Sequence, residues 1–369
     1  MRVALIHYWL TKMRGGERVL EAFARMFPDA DIYTHVYDRS QTSDLLAQHQ
    51  VQTTFISKFP FAKTQYQKLL PFMPRALEEL DLSQYDLVIS SESGPAKGVI
   101  PNPNAFHLCY CHSPMRYIWD LYPQYHSSAG RLSKLAFPGI AHRLRTWDVT
   151  SAARVDQFVA NSNFVARRIE KYYRRPSEVI HPPINVSEFA PDPSWPLEDF
   201  YLVAGELVRY KRFDIVVDAF TRLGKPLVVM GDGEDLEFLK KRAGPNVRFV
   251  GRVPFGELKR LFATCKALVF AGEEDFGMIP VEVMASGRPV IAFAQGGSLD
   301  TVKPGVTGVL VKEQSVDAFC DAVEQFDPQS LSSDAIIEHA SSFSTEVFEA
   351  KIRTLLAQNG LDITQTESR

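Results

Sequence analysis

Short apolar runs that alternate with longer amphipathic stretches predict an α/β chain of two doubly wound domains facing each other across a cleft. Three observations carry this expectation. Runs of four to six mostly apolar residues recur along the whole sequence. Between them apolar residues return at spacings of three and four, the helical period. The series is broken once, near the middle, by a proline-rich stretch. Alternation of this kind means βαβ units and mostly parallel sheets covered on both faces. A chain of 369 residues has room for about two such domains.

The elements follow in order. Val3 to His7 is the first predicted strand, and Gly16 to Phe27 the amphipathic helix behind it. Asp86 to Ser90, Phe106 to Cys111 and Phe158 to Asn161 continue the strand series. Residues 181–199, HPPINVSEFAPDPSWPLED, hold five prolines and little apolar periodicity, which reads as a linker. The boundary is placed there, giving a first domain over 1–185 and a second over 186–344. The second strand series runs through Phe200 to Ala204, Pro226 to Met230, Val247 to Val250, Ala267 to Phe270, Pro289 to Ala292 and Gly308 to Val311, with Phe213 to Arg222 a helix among them. The last helical stretch, Thr345 to Gln358, is expected to cross back, so that 345–369 packs on the first domain. Paired folds of this type bind ligands at the carboxyl ends of their strands.

Composition narrows the class further. With 45% hydrophobic, 23% charged and 11% aromatic residues, the chain is neither disordered, collagen-like nor a coiled coil. A net charge of −3 argues against a dedicated nucleic-acid binder. Four cysteines do not suggest a disulfide scaffold, and a reducing cytoplasm is the expected home. The opening MRVALIHYWLTKMRGGERV lacks the apolar stretch and cleavage site of a signal peptide. No window approaches the roughly 20 apolar residues of a membrane span, so membrane contact is expected to be peripheral.

The stretch from Glu273 to Val290, EEDFGMIPVEVMASGRPV, carries the most chemistry. It follows a predicted strand and opens a helix near Met278 or Ile279. Pro280 lacks an N–H and suits a first helical turn. The free amides of Gly277, Met278 and Ile279 would then form an anion site at a helix N-terminus. Glu274 and Glu282 bracket that site. Carboxylates are poor partners for phosphate and good ones for hydroxyls, whose protons they accept in charge-assisted bonds. A phosphate site between two hydroxyl-binding acids describes a nucleotide-sugar, with Glu282 on the ribose and Glu274 on the hexose. The bland alternative is a plain βα loop with surface acids, of which Glu273 and Asp275 are examples.

Glu274-x7-Glu282, followed by Met284-Ala285-Ser286-Gly287-Arg288-Pro289-Val290, resembles the donor signature of retaining glycosyltransferases of family 4. The resemblance covers essentially the whole chain and implies the GT-B fold of two Rossmann-like domains. Gly296-Gly297 and Gly305-Val306-Thr307-Gly308 are similar to the family's closing loops, and Gly15-Gly16-Glu17-Arg18-Val19 to its N-terminal glycine loop. Tyr110-Cys111-His112-Ser113-Pro114-Met115-Arg116-Tyr117 and Tyr210-Lys211-Arg212-Phe213-Asp214 are similar to the O-antigen and exopolysaccharide mannosyltransferase branch. That branch implies GDP-mannose as donor and a polyprenyl-diphosphate-linked saccharide as acceptor. Rival readings are a UDP-hexose-dependent transferase, a nucleotide-sugar epimerase and a non-catalytic nucleotide-sugar-binding protein.

Lys211 follows the second domain's first strand, where a diphosphate would lie, and offers it a compact positive charge. Many relatives carry an Arg five residues earlier, where this chain has Glu206; Arg209 is the candidate replacement. His112 ends a strand of the first domain, and the resemblance assigns it contact with the donor sugar or support for charge at the anomeric carbon. Gly15 and Gly16 would let the backbone approach a phosphate or acceptor sugar; the alternative is a tight turn. Cys109-x-Cys111-His112 has no second ligand pair nearby and reads as no metal site. The family chemistry needs no DxD motif, so no cofactor and no obligatory divalent ion are expected. Between Arg131 and Arg175 lie ten Lys or Arg against three acids, just after Tyr117-Ile118-Trp119-Asp120-Leu121-Tyr122. This pairing is expected to meet an anionic membrane, or else to be an ordinary solvated face.

Overall fold

The computed structural model describes residues 1–128 and 130–361. The chain forms two compact units, one of Met1–His181 together with the chain from Glu349, the other of Pro182–Phe348.

Among the described residues the first unit's sheet has seven strands: β1 (Val3–His7), β2 (Asp31–Thr34), β3 (Val51–Thr53), β4 (Leu87–Glu92), β5 (Phe106–Cys111), β6 (Gln157–Ala160) and β7 (Ser177–Val179). Their order is β3-β2-β1-β4-β5-β6-β7, with every neighbouring pair parallel. The second unit's sheet has six: β8 (Tyr201–Ala204), β9 (Leu227–Met230), β10 (Val247–Gly251), β11 (Leu268–Phe270), β12 (Val290–Phe293) and β13 (Gly308–Val311). They run parallel in the order β10-β9-β8-β11-β12-β13. Each unit is thus a doubly wound, Rossmann-like α/β fold. Chain order reverses between β1 and β4 in the first sheet and between β8 and β11 in the second. The carboxyl ends of those four strands are where such sheets leave a crevice.

Central strands are buried along their whole length, as in β1 and β4, because helices cover both faces. This is why β1 (VALIH) reads as an almost unbroken apolar run, whereas β4 (LVISSE) carries buried Ser90, Ser91 and Glu92 at its carboxyl end. Three strands have no such run. β2 (DIYT), β3 (VQT) and β7 (SEV) are short and partly polar, and β3 and β7 are the sheet's edges. They are strands because their backbones pair with β1, β2 and β6, not because of their own pattern.

The proline-rich stretch is a boundary only at its start. Ile184 and Phe189 are fully buried in the second unit's core. The Ile184 amide donates to the Phe343 carbonyl at 3.0 Å, and the Phe189 ring lies 5.8 Å from that of Phe262. Most of 181–199 therefore docks on the second unit. Helix Thr345–Gln358 crosses the division between the units at Phe348 and Glu349, and Glu349 pairs with Arg25 at 3.8 Å. Residues 362–369, included in the expected C-terminal helix, lie outside the described residues.

Candidate functional site

The richest site lies at the carboxyl ends of β8 and β11. After β11 the chain runs through Glu273–Gly277 into helix Met278–Ala285. Gly277 caps it at φ 85°, a conformation that a side chain resists. The helix is buried nearly all round, which suits its almost wholly apolar sequence. The amides of Gly277, Met278 and Ile279 open it, and amides in a first turn have no intrahelical acceptor. The Gly297 amide donates to the Glu274 carbonyl at 2.8 Å, so the Gly296-Gly297 loop braces the segment that carries the acid.

Lys211 comes from the turn Arg209–Lys211 after β8, and its Nζ lies 3.0 Å from Glu274 Oε1 with both side chains largely buried. Burial would lower the pKa of the Lys211 ammonium, but Glu274, followed by Tyr210 and Glu206, outweighs it and holds the group above the ordinary lysine range. A fixed cation results. The next residue, Arg212, adopts a left-handed backbone (φ 54°). Its guanidinium donates to Asp214 at 3.0 Å and to Gln314 at 3.1 Å, and Gln314 in turn donates to the Ala271 carbonyl at 2.8 Å. This chain of bonds ties the lysine loop to the loop that leads to Glu274.

Beside this pair is a cleft of about 410 Å³, bounded by Gly205, Met230, Gly231, Arg252, Val253, Ile279 and Glu282. Glu282 is 9% exposed and lines it from the helix. Gly205 connects the cleft with the charged pair: a Cβ placed there would lie 3.4 Å from Lys211 Nζ and 3.6 Å from Ile279 Cδ1. Gly231 has no freedom to carry a side chain, since its Cβ would stand 1.8 Å from the Gly205 carbonyl oxygen. The sequence reading missed Gly205 and Gly231. The available signal was a glycine directly after each of two predicted strands. Arg209 lies apart from the pair: it is 60% exposed, bonds Asp235 at 3.2 Å and covers the Phe238 ring at 4.2 Å.

A second cluster sits at the carboxyl ends of β1, β4 and β5 in the first unit. Gly15 starts helix Gly15–Met26, and Glu17 accepts from the Arg14 amide at 3.0 Å. A Cβ on Gly16 would stand 2.5 Å from Tyr8 Oη and 3.7 Å from His112 Nε2, so the glycine and the histidine of the sequence reading do meet. His112 Nε2 is bonded to Ser91 Oγ at 2.9 Å, and Asn161 donates to the His112 carbonyl at 3.0 Å. Burial, helped by neighbouring His7, pushes the His112 imidazole down to about 3. The depressed value favours the neutral imidazole, whose Nε2 is engaged by Ser91. Tyr8 and Ser91 were invisible in the sequence, having no motif of their own.

The basic stretch from Arg131 to Arg175 is partly spent on the interior. Arg168 is buried against Ser113 and Asp120, Arg145 donates to the Ile118 carbonyl at 2.5 Å, Arg154 donates to the Gly98 carbonyl at 2.8 Å, and Arg175 donates to the Val155 carbonyl at 2.7 Å. The aromatics before it turn inward as well. Ile118 is buried, Trp119 stacks on Tyr172 at 4.6 Å and donates to Asp148 at 2.7 Å, and Tyr122 stacks on Phe137 at 5.2 Å. Among the described residues no helix is long and apolar enough to cross a membrane.

Comparison with known proteins agrees with this architecture. Residues 13–188 match the family described as Glycosyltransferase Family 4, and residues 192–342 match Glycosyl transferases group 1. Anabaena HepE in complex with UDP superposes with a TM-score of 0.70 at 16% identity, over 97% of this chain and 100% of that one. Sucrose-phosphate synthase from Thermosynechococcus elongatus gives 0.73 at 17% identity, over 97% and 99%. Among curated relatives, D-inositol 3-phosphate glycosyltransferase of Mycobacterium leprae is 29% identical over 221 residues, 51% of each chain. Alpha-1,3/1,6-mannosyltransferase alg2 of Schizosaccharomyces pombe is 24% identical over 253 residues, 55% of this chain and 47% of that one. The chain spans about half the length of these curated relatives. Its two units define a GT-B protein. The chain belongs to glycosyltransferase family 4.

Proposed function

We propose that the protein transfers a hexosyl group from a nucleotide-sugar with retention at the anomeric carbon. The observation that carries this reading is the Lys211–Glu274 pair at 3.0 Å, set beside a glycine-floored cleft that Glu282 lines. The nucleoside occupies that cleft with its ribose hydroxyls on Glu282. The diphosphate lies over Gly205 toward Lys211 and the amides of Gly277, Met278 and Ile279, and Glu274 receives hexose hydroxyls. The bond from the anomeric carbon to the β-phosphate oxygen breaks, and a bond to the acceptor oxygen forms on the same face. The acceptor's proton passes to the departing diphosphate. Positive charge held in place by the protein stabilises that leaving group, and no cofactor is called for. Arg209 serves the outer edge of the diphosphate only if it exchanges Asp235 for phosphate.

GDP-mannose is the favoured donor, supported by the branch resemblance of the Tyr110–Tyr117 and Tyr210–Asp214 segments and by the likeness to a yeast mannosyltransferase. A UDP-hexose is the second reading, favoured by solved relatives bound to UDP and UDP-glucose. The acceptor is a polyprenyl-diphosphate-linked saccharide of a cell-surface polysaccharide, met at the inner face of the cytoplasmic membrane. The family resemblance gives His112 contact with the donor sugar or support for charge at the anomeric carbon, and gives the Gly15-Gly16 backbone a phosphate or the acceptor sugar. A thermal-shift panel of GDP, UDP and ADP identifies the donor class through preferential stabilisation. Donor turnover with a membrane extract, abolished in Glu274→Ala, supports transfer; equal turnover by both proteins refutes it. Isomerised sugar from donor alone would mean epimerisation instead.

A further inference from the structure

A second patch on the first unit combines exposed aromatic rings with lysines, apart from the stretch after Arg131. Residues 45–77 contain no Asp or Glu but include Lys58, Lys63, Lys68 and Arg75. From Phe55 onward they fold into short turns of helix instead of one long element: Phe55–Lys58, Ala62–Gln65, Tyr66–Phe72 and Met73–Glu78. The inner residues Ile56, Ala62, Leu69, Met73 and Ala76 are buried together and anchor the segment. Its outer residues are aromatic. Phe61 is 41% exposed and Phe72 52%, and both approach Phe59, with ring centroids 6.0 and 6.4 Å away. Lys58, Lys63 and Lys68 are exposed around these rings.

The acids that neighbouring segments bring to this surface are few. Glu79 pairs with Arg75 at 2.6 Å, and Asp38 acts electrostatically on Lys63. Clustered exposed phenylalanines rimmed by lysines are costly in water and match the boundary of a bilayer that carries negative head groups. A row of ring contacts also leads inward from the patch. Tyr66 lies 4.6 Å from Trp9, Trp9 lies 4.5 Å from Tyr8, and Tyr8 Oη stands over Gly16 beside His112.

We propose that the surface built by Phe59, Phe61 and Phe72 with Lys58, Lys63 and Lys68 docks the first unit on an anionic membrane. Docking there sets the carboxyl ends of β1 and β4, next along the row of rings, close to head groups of a lipid-borne acceptor. The acceptor's part in this inference rests on the transferase reading; the docking surface does not.

Sedimentation with vesicles separates the two. The full chain is mixed with vesicles of phosphatidylglycerol and phosphatidylethanolamine, and in parallel with phosphatidylcholine alone. Binding to the anionic vesicles only, weakened by added salt, is expected. Phe61→Ser with Phe72→Ser should lower the bound fraction about tenfold, and Lys58→Glu with Lys63→Glu and Lys68→Glu should do the same. Both variants should keep the wild-type unfolding temperature and nucleotide affinity, since every altered side chain is exposed. A control, Arg143→Glu with Lys171→Glu and Arg174→Glu, changes exposed bases of the other stretch and should bind as wild type. The proposal is overturned by unchanged binding of the two patch variants, by loss confined to the control, or by a fall in wild-type oligomer mass on Phe61→Ser with Phe72→Ser without vesicle binding. The last outcome would assign the patch to a second copy of the chain. Failure of nucleotide binding with vesicle binding intact would count against the transferase reading alone.

Discussion

In the proposed function Lys211, Glu274 and Glu282 carry the site at the level of single residues, and the roles proposed for them separate experimentally. Lys211→Ala removes the fixed cation that the proposed reaction sets against the leaving diphosphate. Turnover measured at saturating donor should fall about 100-fold, as when one charge-stabilising donor is deleted elsewhere. Glu282→Ala should instead weaken nucleotide binding about tenfold or more, the worth of one charge-assisted bond. Helices tolerate alanine, so circular dichroism should report an intact fold. These three residues were picked out in the sequence by the spacing of two acids around a helix start and by the resemblance that spacing carries; the structure brings Lys211 to Glu274 and sets Glu282 on the cleft. Tyr8 and Ser91 were not picked out, because they reach the site through the register of neighbouring strands, which no local pattern encodes. Nor could the sequence say that Arg209 bonds Asp235, a partner supplied by the turn after β9.

Among the elements, the loops after β8 and β9 decide whether the cleft exists. Gly231 has φ 136° and no space for a Cβ against the Gly205 carbonyl. Gly224 has φ 66° and nothing within 4 Å of its Cβ position. Alanine at Gly224 should therefore cost about 1 kcal/mol from backbone strain alone. At Gly231 the cost should exceed it by roughly 2 kcal/mol or more, because loop backbone must also move. Urea unfolding of the two variants checks the difference; equal losses would contradict the tight approach. Strands such as β1 were readable because burial on both faces leaves few polar positions, as at the carboxyl end of β4, where Ser90, Ser91 and Glu92 are buried. β2, β3 and β7 were unreadable because their stability comes from neighbours. Proline content alone overextended the linker, since Ile184 and Phe189 within it are core residues.

For the whole molecule, the buried histidines set a pH limit. Burial holds His35, His107 and His112 at about 3, well under the usual 6.5. The folded chain then binds fewer protons than the unfolded one below about 6.5, so their contribution is complete above that pH and is lost as pH falls toward 3. Buried Glu92 acts in the opposite sense. Burial raises it from 4.5 to about 7, against the pull of Lys97, so its share favours the fold at low pH and declines as pH rises through that interval. Three histidines outweigh one glutamate. The unfolding temperature should be level above about pH 7 and fall steadily under acid; a maximum below pH 5 would contradict this balance. The proposed function depends, at this scale, on a nucleoside diphosphate seated in the second unit. Calorimetric titration of the chain with GDP and with UDP, repeated on Glu282→Ala and Lys211→Ala, tests that most directly. The account predicts saturable binding of one nucleotide in preference to the other, weakened by both substitutions. Binding of neither nucleotide, or equal affinity in all three proteins, would contradict it.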